Sequence, residues 1–99
     1  MSYWSVYVDL PRLLSQGEVF NAQSALDSLV ADGGCIGPQN PAYNTTEIYF
    51  AVEAESASAA QTEGERLARA ILESAGLAPD FAVVVQRFPE QSAGPRGAS

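Results

Sequence analysis

Thr45-Thr46-Glu47-Ile48-Tyr49-Phe50-Ala51-Val52-Glu53-Ala54-Glu55 alternates with a period of two. Ile48, Phe50, Val52 and Ala54 fall on one side, and Glu47, Tyr49, Ala51, Glu53 and Glu55 on the other. Successive side chains of an extended chain point to opposite faces, so this is a strand with one face in a core and the other outside it. Tyr3-Trp4-Ser5-Val6-Tyr7-Val8-Asp9-Leu10 repeats the pattern, opposing Trp4, Val6, Val8 and Leu10 to Tyr3, Ser5, Tyr7 and Asp9. Pro11 ends it, because proline cannot donate to a ladder. Two strands with one wholly apolar face each require a layer that covers that face.

Helices supply the layer. Ser15 followed three residues later by Glu18 has the form of a capping box, in which each side chain satisfies a free amide of the other's turn. The spacing predicts a helix over 16–32, with Val19, Ala22, Leu26, Leu29 and Val30 inward, Gln23, Asp27 and Ser28 in solvent, and Gly33-Gly34 as the stop. Ser58 and Gln61 repeat the capping pattern ahead of a segment rich in Ala, Glu, Arg and Leu, which predicts a second helix running to Ser74. Ala60, Gly64, Leu67, Ala68, Ile71 and Ala75 line its inner side, and Gly76 caps it.

Two further strands complete the set. Cys35 and Ile36 open a short one that Gly37, Pro38, Gln39, Asn40 and Pro41 soon turn into loop. Phe81 to Phe88 is the last, apolar on both sides, a pattern that expects cover on both faces. With right-handed crossovers and neighbouring strands paired, the order β-α-β-β-α-β has few solutions. The expected class is α+β, a ferredoxin-like βαββαβ sandwich: a four-stranded antiparallel sheet, first and third strands central, both helices on one face. Pro89 closes that last strand, residues 1–90 are expected to form one domain, and 91–99 read as a flexible tail.

Composition narrows the chemistry. The chain has 99 residues, 12 acidic and 5 basic, for a net charge of −7, which repels phosphate backbones and anionic membranes. There is no histidine, which removes the commonest general base and most zinc sites. The glycines at 33, 34 and 37 follow a helix end, where carbonyls rather than amides are presented, and no lysine accompanies them. No catalytic residue, metal ligand or cofactor is assigned. Cys35, the single cysteine, reads as a small buried hydrophobe, and Asn44-Thr45-Thr46 as a polar turn. Without a secretory signal or an apolar run long enough to span a bilayer, the expected setting is cytoplasmic.

Two surfaces remain as candidates. The face of the sheet turned from the helices would carry Tyr3, Tyr7, Tyr49 and Ala51, with either Val84 and Phe88 or Val83 and Val85 at one edge, the first pair being the one taken into the candidate surface. Such a face suits a homodimer or another protein. Base stacking is disfavoured, because Glu47 and Glu53 stand beside the rings where a basic residue is expected. The loop end of the sandwich would gather Asp9, Arg12, Gln39, Asn40, Tyr43, Asn44 and Asp80, a candidate small-molecule pocket. The preferred expectation is a non-enzymatic interaction protein acting through the open face and last strand, binding itself or another protein. The alternatives are a ligand binder or small enzyme of dimeric α+β barrel type, and an acidic inhibitor or immunity protein covering a basic site.

Overall fold

The computed structural model describes residues 2–31 and 33–88. The elements are β1 (Ser2–Leu10), α1 (Gln16–Leu29), β2 (Gly34–Asn40), β3 (Thr45–Ala54), α2 (Ala57–Ser74) and β4 (Ala82–Arg87). The fold is α+β: one four-stranded antiparallel sheet in the order β2-β3-β1-β4, with two helices. β1 and β3 are thus the central strands, paired from Ser2 opposite Ala54 to Leu10 opposite Thr46. The expected closure at Pro89 and the tail 91–99 lie outside the described residues.

One core lies between the sheet and the helices. Val6, Val8, Leu10, Ile48, Phe50, Val52 and Ala54 enter it from the central strands, Ala22, Ala25 and Leu26 from α1, and Ala60, Leu67, Ala68, Ile71 and Leu72 from α2. Gly64 brings α2 close, since a Cβ there would stand 3.0 Å from Val6 Cγ1. The capping box at Ser15 and Glu18 forms in full.

Several boundaries correct the sequence reading. α1 ends at Leu29 rather than residue 32. Val30 is already extended, and Gly33, with φ +74, reverses the chain only after the helix has stopped. Leu29 is consequently exposed and Ala25 takes its inward place. The second helix starts earlier than Ser58: Ser56 is its N-cap, accepting from Ala59 N at 3.1 Å. At its C-terminus Gly76 has φ +75, Gly76 N donates to Glu73 O and Leu77 N to Leu72 O, which is the Schellman arrangement.

β2 is also longer than its glycine and proline suggested. It continues through Gly37 and Pro38 to Asn40 because a register shift between Ile36 and Gln39 absorbs one extra residue opposite Glu47. Gln23, expected in solvent, helps hold this strand. Its amide donates to Gly34 O at 3.2 Å and to Asp27 Oδ1 at 3.0 Å, and accepts from Ile36 N at 3.3 Å. α1 is thereby fastened to β2 by hydrogen bonds that run across the layer.

Candidate functional site

The register builds one row across the whole sheet on the side away from the core. Cys35 lies opposite Tyr49, Tyr49 opposite Tyr7, and Tyr7 opposite Val84, so all four strands contribute. The Tyr7 and Tyr49 rings meet at 5.3 Å between centroids with a tilt of 45°, a favourable aromatic geometry. Beside this row stand Ala51 and Ser5, whose hydroxyl lies 3.4 Å from that of Tyr49. Beyond them the Tyr3 and Phe88 rings approach to 6.0 Å. The sequence-derived set of Tyr3, Tyr7, Tyr49, Ala51, Val84 and Phe88 is therefore brought onto one face.

Exposure on that face is uneven, and the pattern matters. Val84 is 56% exposed and Tyr3 45%, while Tyr7, Tyr49 and Ala51 are half-buried among one another. β4 was expected to need cover on both faces. Val83 and Val85 pack toward the core, but Ala82 and Val84 stay exposed, so cover is present on one side. Among the described residues no element lies over the tyrosine row. Cys35 corrects another expectation: it is exposed, at the β2 end of the row, because the odd-numbered side of that stretch faces outward.

Carboxylates flank the row on both sides along the strand direction. Asp9 stands opposite Glu47 on one side, and Glu53 stands opposite Tyr3 on the other. The face is thus an apolar band between two acidic margins.

The loop-end residues do not assemble as one pocket. Asp9 and Asp80 share a cavity of about 310 Å³ with Leu10, Pro11 and Phe81. Arg12 is not among its lining residues. Its carbonyl accepts from Thr46 Oγ1 at 2.9 Å, while Nε and Nη2 of its guanidinium are shielded from solvent without a hydrogen-bond partner. Gln39 is structural: its Oε1 accepts from Leu14 N at 2.7 Å and lies 3.2 Å from Thr46 Oγ1. Asn40 Oδ1 accepts from Ala42 N at 3.2 Å, Asn44 takes φ 55, and Tyr43 projects 76% exposed. Those three shape the β2–β3 turn.

Two features escaped the sequence reading. Gln61 donates to Val83 O at 3.0 Å, which the capping-box interpretation concealed. Phe20 is an exposed aromatic on α1, off the stripe formed by Val19, Ala22 and Leu26. Electrostatically the surface is plain. Arg66 donates to Glu63 at 2.6 and 2.9 Å, and this hydrogen bond holds the Glu63 carboxyl below the usual carboxylate range. Among the described residues no group of His, Cys, Asp and Glu is arranged to hold a metal ion, and no helix is long and apolar enough to cross a membrane.

The chain matches no family model, and no curated protein or solved structure is significantly similar to it. The functional reading rests on the geometry alone.

Proposed function

We propose that this chain is a ferredoxin-like, non-enzymatic interaction module that binds protein through its open sheet face and last strand. The sandwich reading is supported by the element order and by β1 and β3 occupying the sheet centre. The observation that carries the function is the row Cys35–Tyr49–Tyr7–Val84, which crosses all four strands with no described element over it. Contiguous exposed apolar area of this kind marks interfaces, and aromatic anchors dominate their energetics. The acidic margins at Asp9, Glu47 and Glu53 fit a partner with basic residues around an apolar centre, and they favour a salt-sensitive association.

The test is in-cell cross-linking with this protein as bait, comparing wild type with Tyr49→Asp after matching the two by circular dichroism and melting temperature. A partner lost by Tyr49→Asp supports the face. Equal capture by both proteins removes the face from the interaction.

A second reading has one observation behind it, the cavity carrying Asp9 and Asp80 over Leu10, Pro11 and Phe81. Two carboxylates on an apolar floor suit an amine with an aliphatic body. A thermal-shift panel of small amines would show a rise in melting temperature that Asp9→Asn abolishes, and a flat panel would dismiss it.

A further inference from the structure

Polar side chains that reach the interior of this protein find partners there. Trp4 Nε1 donates to Ala54 O at 3.1 Å, Thr46 Oγ1 to Arg12 O at 2.9 Å, and Gln61 Nε2 to Val83 O at 3.0 Å. Arg12 breaks the rule. Among the described residues, its Nε and Nη2 are the side-chain polar atoms shielded from solvent without a hydrogen-bond partner.

Those nitrogens lie on one side of the guanidinium and aim their N–H bonds in parallel, so they form a single fork. The chain shows what such a fork takes. The same pair of atoms in Arg66 grips the Glu63 carboxylate, Nε to Oε1 at 2.9 Å and Nη2 to Oε2 at 2.6 Å.

The main chain on either side of Arg12 is fixed. Leu10 and Leu14 are buried in the core, Arg12 O accepts from the buried Thr46 hydroxyl, and Leu14 N donates to Gln39 Oε1 at 2.7 Å. The guanidinium is a different matter: no hydrogen bond ties its fork, and Arg12 as a residue is only half-buried. Rotation about side-chain torsions therefore brings the fork to the surface without disturbing the backbone. A charge shielded from water and unpaired is costly, and an anion that matches the fork relieves the cost while gaining charge-assisted hydrogen bonds.

The surroundings select the anion. Glu18, in the first turn of α1, is committed to Ser15 N at 2.8 Å, and Glu18 N to Ser15 Oγ, so the capping box closes the helix end on itself. No second cation joins Arg12. The chain has no lysine; residues 66 and 69 belong to α2, and Arg87 stands opposite Trp4, at the other end of β1. A phosphate calls for several donors of positive charge, and a net charge of −7 repels a multiply charged anion. One planar fork suits one planar, singly charged group.

We infer that the Nε–Nη2 fork of Arg12 is a binding position for the carboxylate of a small monocarboxylic acid, separate from the open sheet face and from the cavity at Asp9 and Asp80.

The experiment follows the Arg12 Nε–H signal by NMR while the full chain is titrated with sodium acetate, with sodium chloride and inorganic phosphate at matched ionic strength. Acetate is expected to shift that signal saturably and to raise the melting temperature, and chloride to do neither. Arg12→Lys keeps the charge without the fork and should weaken the acetate response at least about tenfold. Arg12→Met should abolish it, and in chloride should melt no lower than wild type, since it removes an unpaired charge. A response to phosphate as strong as that to acetate overturns the choice of a carboxylate, and an undiminished response in Arg12→Lys overturns the fork. A wild-type Nε–H that ignores acetate overturns the proposal outright, whether because the guanidinium is solvated or because a carboxylate of the chain itself fills the fork. That titration needs no variant and decides the matter should Arg12→Met fail to fold.

Discussion

Gly34 begins β2 against β3, and its α-carbon has no room for a substituent. A Cβ built there would fall on the Tyr49 carbonyl oxygen, 2.9 Å from Phe50 Cβ and 3.1 Å from Leu26 Cδ2. The leucine could rotate, but the first two atoms belong to the centre of β3 and move only with the strand. Overpacking of this sort costs about 1–3 kcal/mol when side chains can yield. Here the easier escape is for the start of β2 to peel from β3, forfeiting ladder bonds worth about 1 kcal/mol each together with the Gln23 bridge to Gly34. Gly34→Ala is therefore expected to destabilise by about 3 kcal/mol, a large share of the roughly 5–15 kcal/mol that holds a domain of this size. Gly17→Ala is the matched control. It lies in the first turn of α1 with nothing within 4 Å of its added Cβ, and alanine should stabilise there by about 0.5–1 kcal/mol. Urea unfolding followed by circular dichroism at equal m-value should move the two midpoints in opposite directions. A Gly34→Ala midpoint within about 0.5 kcal/mol of wild type would refute the close approach of β2 to β3 and the register derived from it.

Two further outcomes test the interior. Gln23→Ala removes three hydrogen bonds, two of them to β2, and should cost about 1–2 kcal/mol after alanine's better helix propensity is counted; faster amide exchange at Ile36, measured by NMR, distinguishes loss of the bridge from general loosening. Glu63, whose carboxyl is lowered by Arg66, contributes stability that is complete above the ordinary carboxylate range and is lost as pH falls through its depressed value. Both partners are well exposed, at 64% and 40%, so solvent screening keeps the contribution at the small end for a surface pair. Wild type and Glu63→Gln should differ slightly in urea midpoint at neutral pH and converge at pH values below both titrations.

The central strands were legible because their alternation is strict and their core face is wholly apolar. Val6, Val8, Ile48, Phe50 and Val52 carry the same message as strand residues and as core residues, and no tertiary contact contradicts it. β2 was harder. Glycine and proline are turn residues by local rule, yet an edge strand can absorb both at a bulge, and the residue that permits this, Glu47, stands across the hairpin where local rules do not reach. The end of α1 was misplaced because Gly33 has the positive φ expected of a stop but uses it after Val30 has already left the helix. Of the candidate surfaces, the tyrosine face was readable from periodicity alone. The loop-end cluster was not, because residue type does not tell whether Gln39 faces a ligand or, as here, the Leu14 amide. Gln23 was missed for the same reason, read as a solvent residue, and Gln61 because it had been assigned to a helix cap; neither role could be read until the backbone groups these side chains reach were known.

β1 sits between β3 and β4, and its partner on the outer side comes from the far end of the described chain: Trp4 pairs with Arg87 and Asp9 with Ala82. Of the four strands it emerges first during synthesis and is completed last. β1, α1, β2 and β3 can assemble while α2 and β4 are still being made, leaving Val6 and Val8 flanked on one side only. Closing so long a loop is slow compared with helix formation or a hairpin. The nascent chain therefore passes through a stage in which the strand bearing Tyr7 has a raw inner edge, which only the arrival of β4 seals.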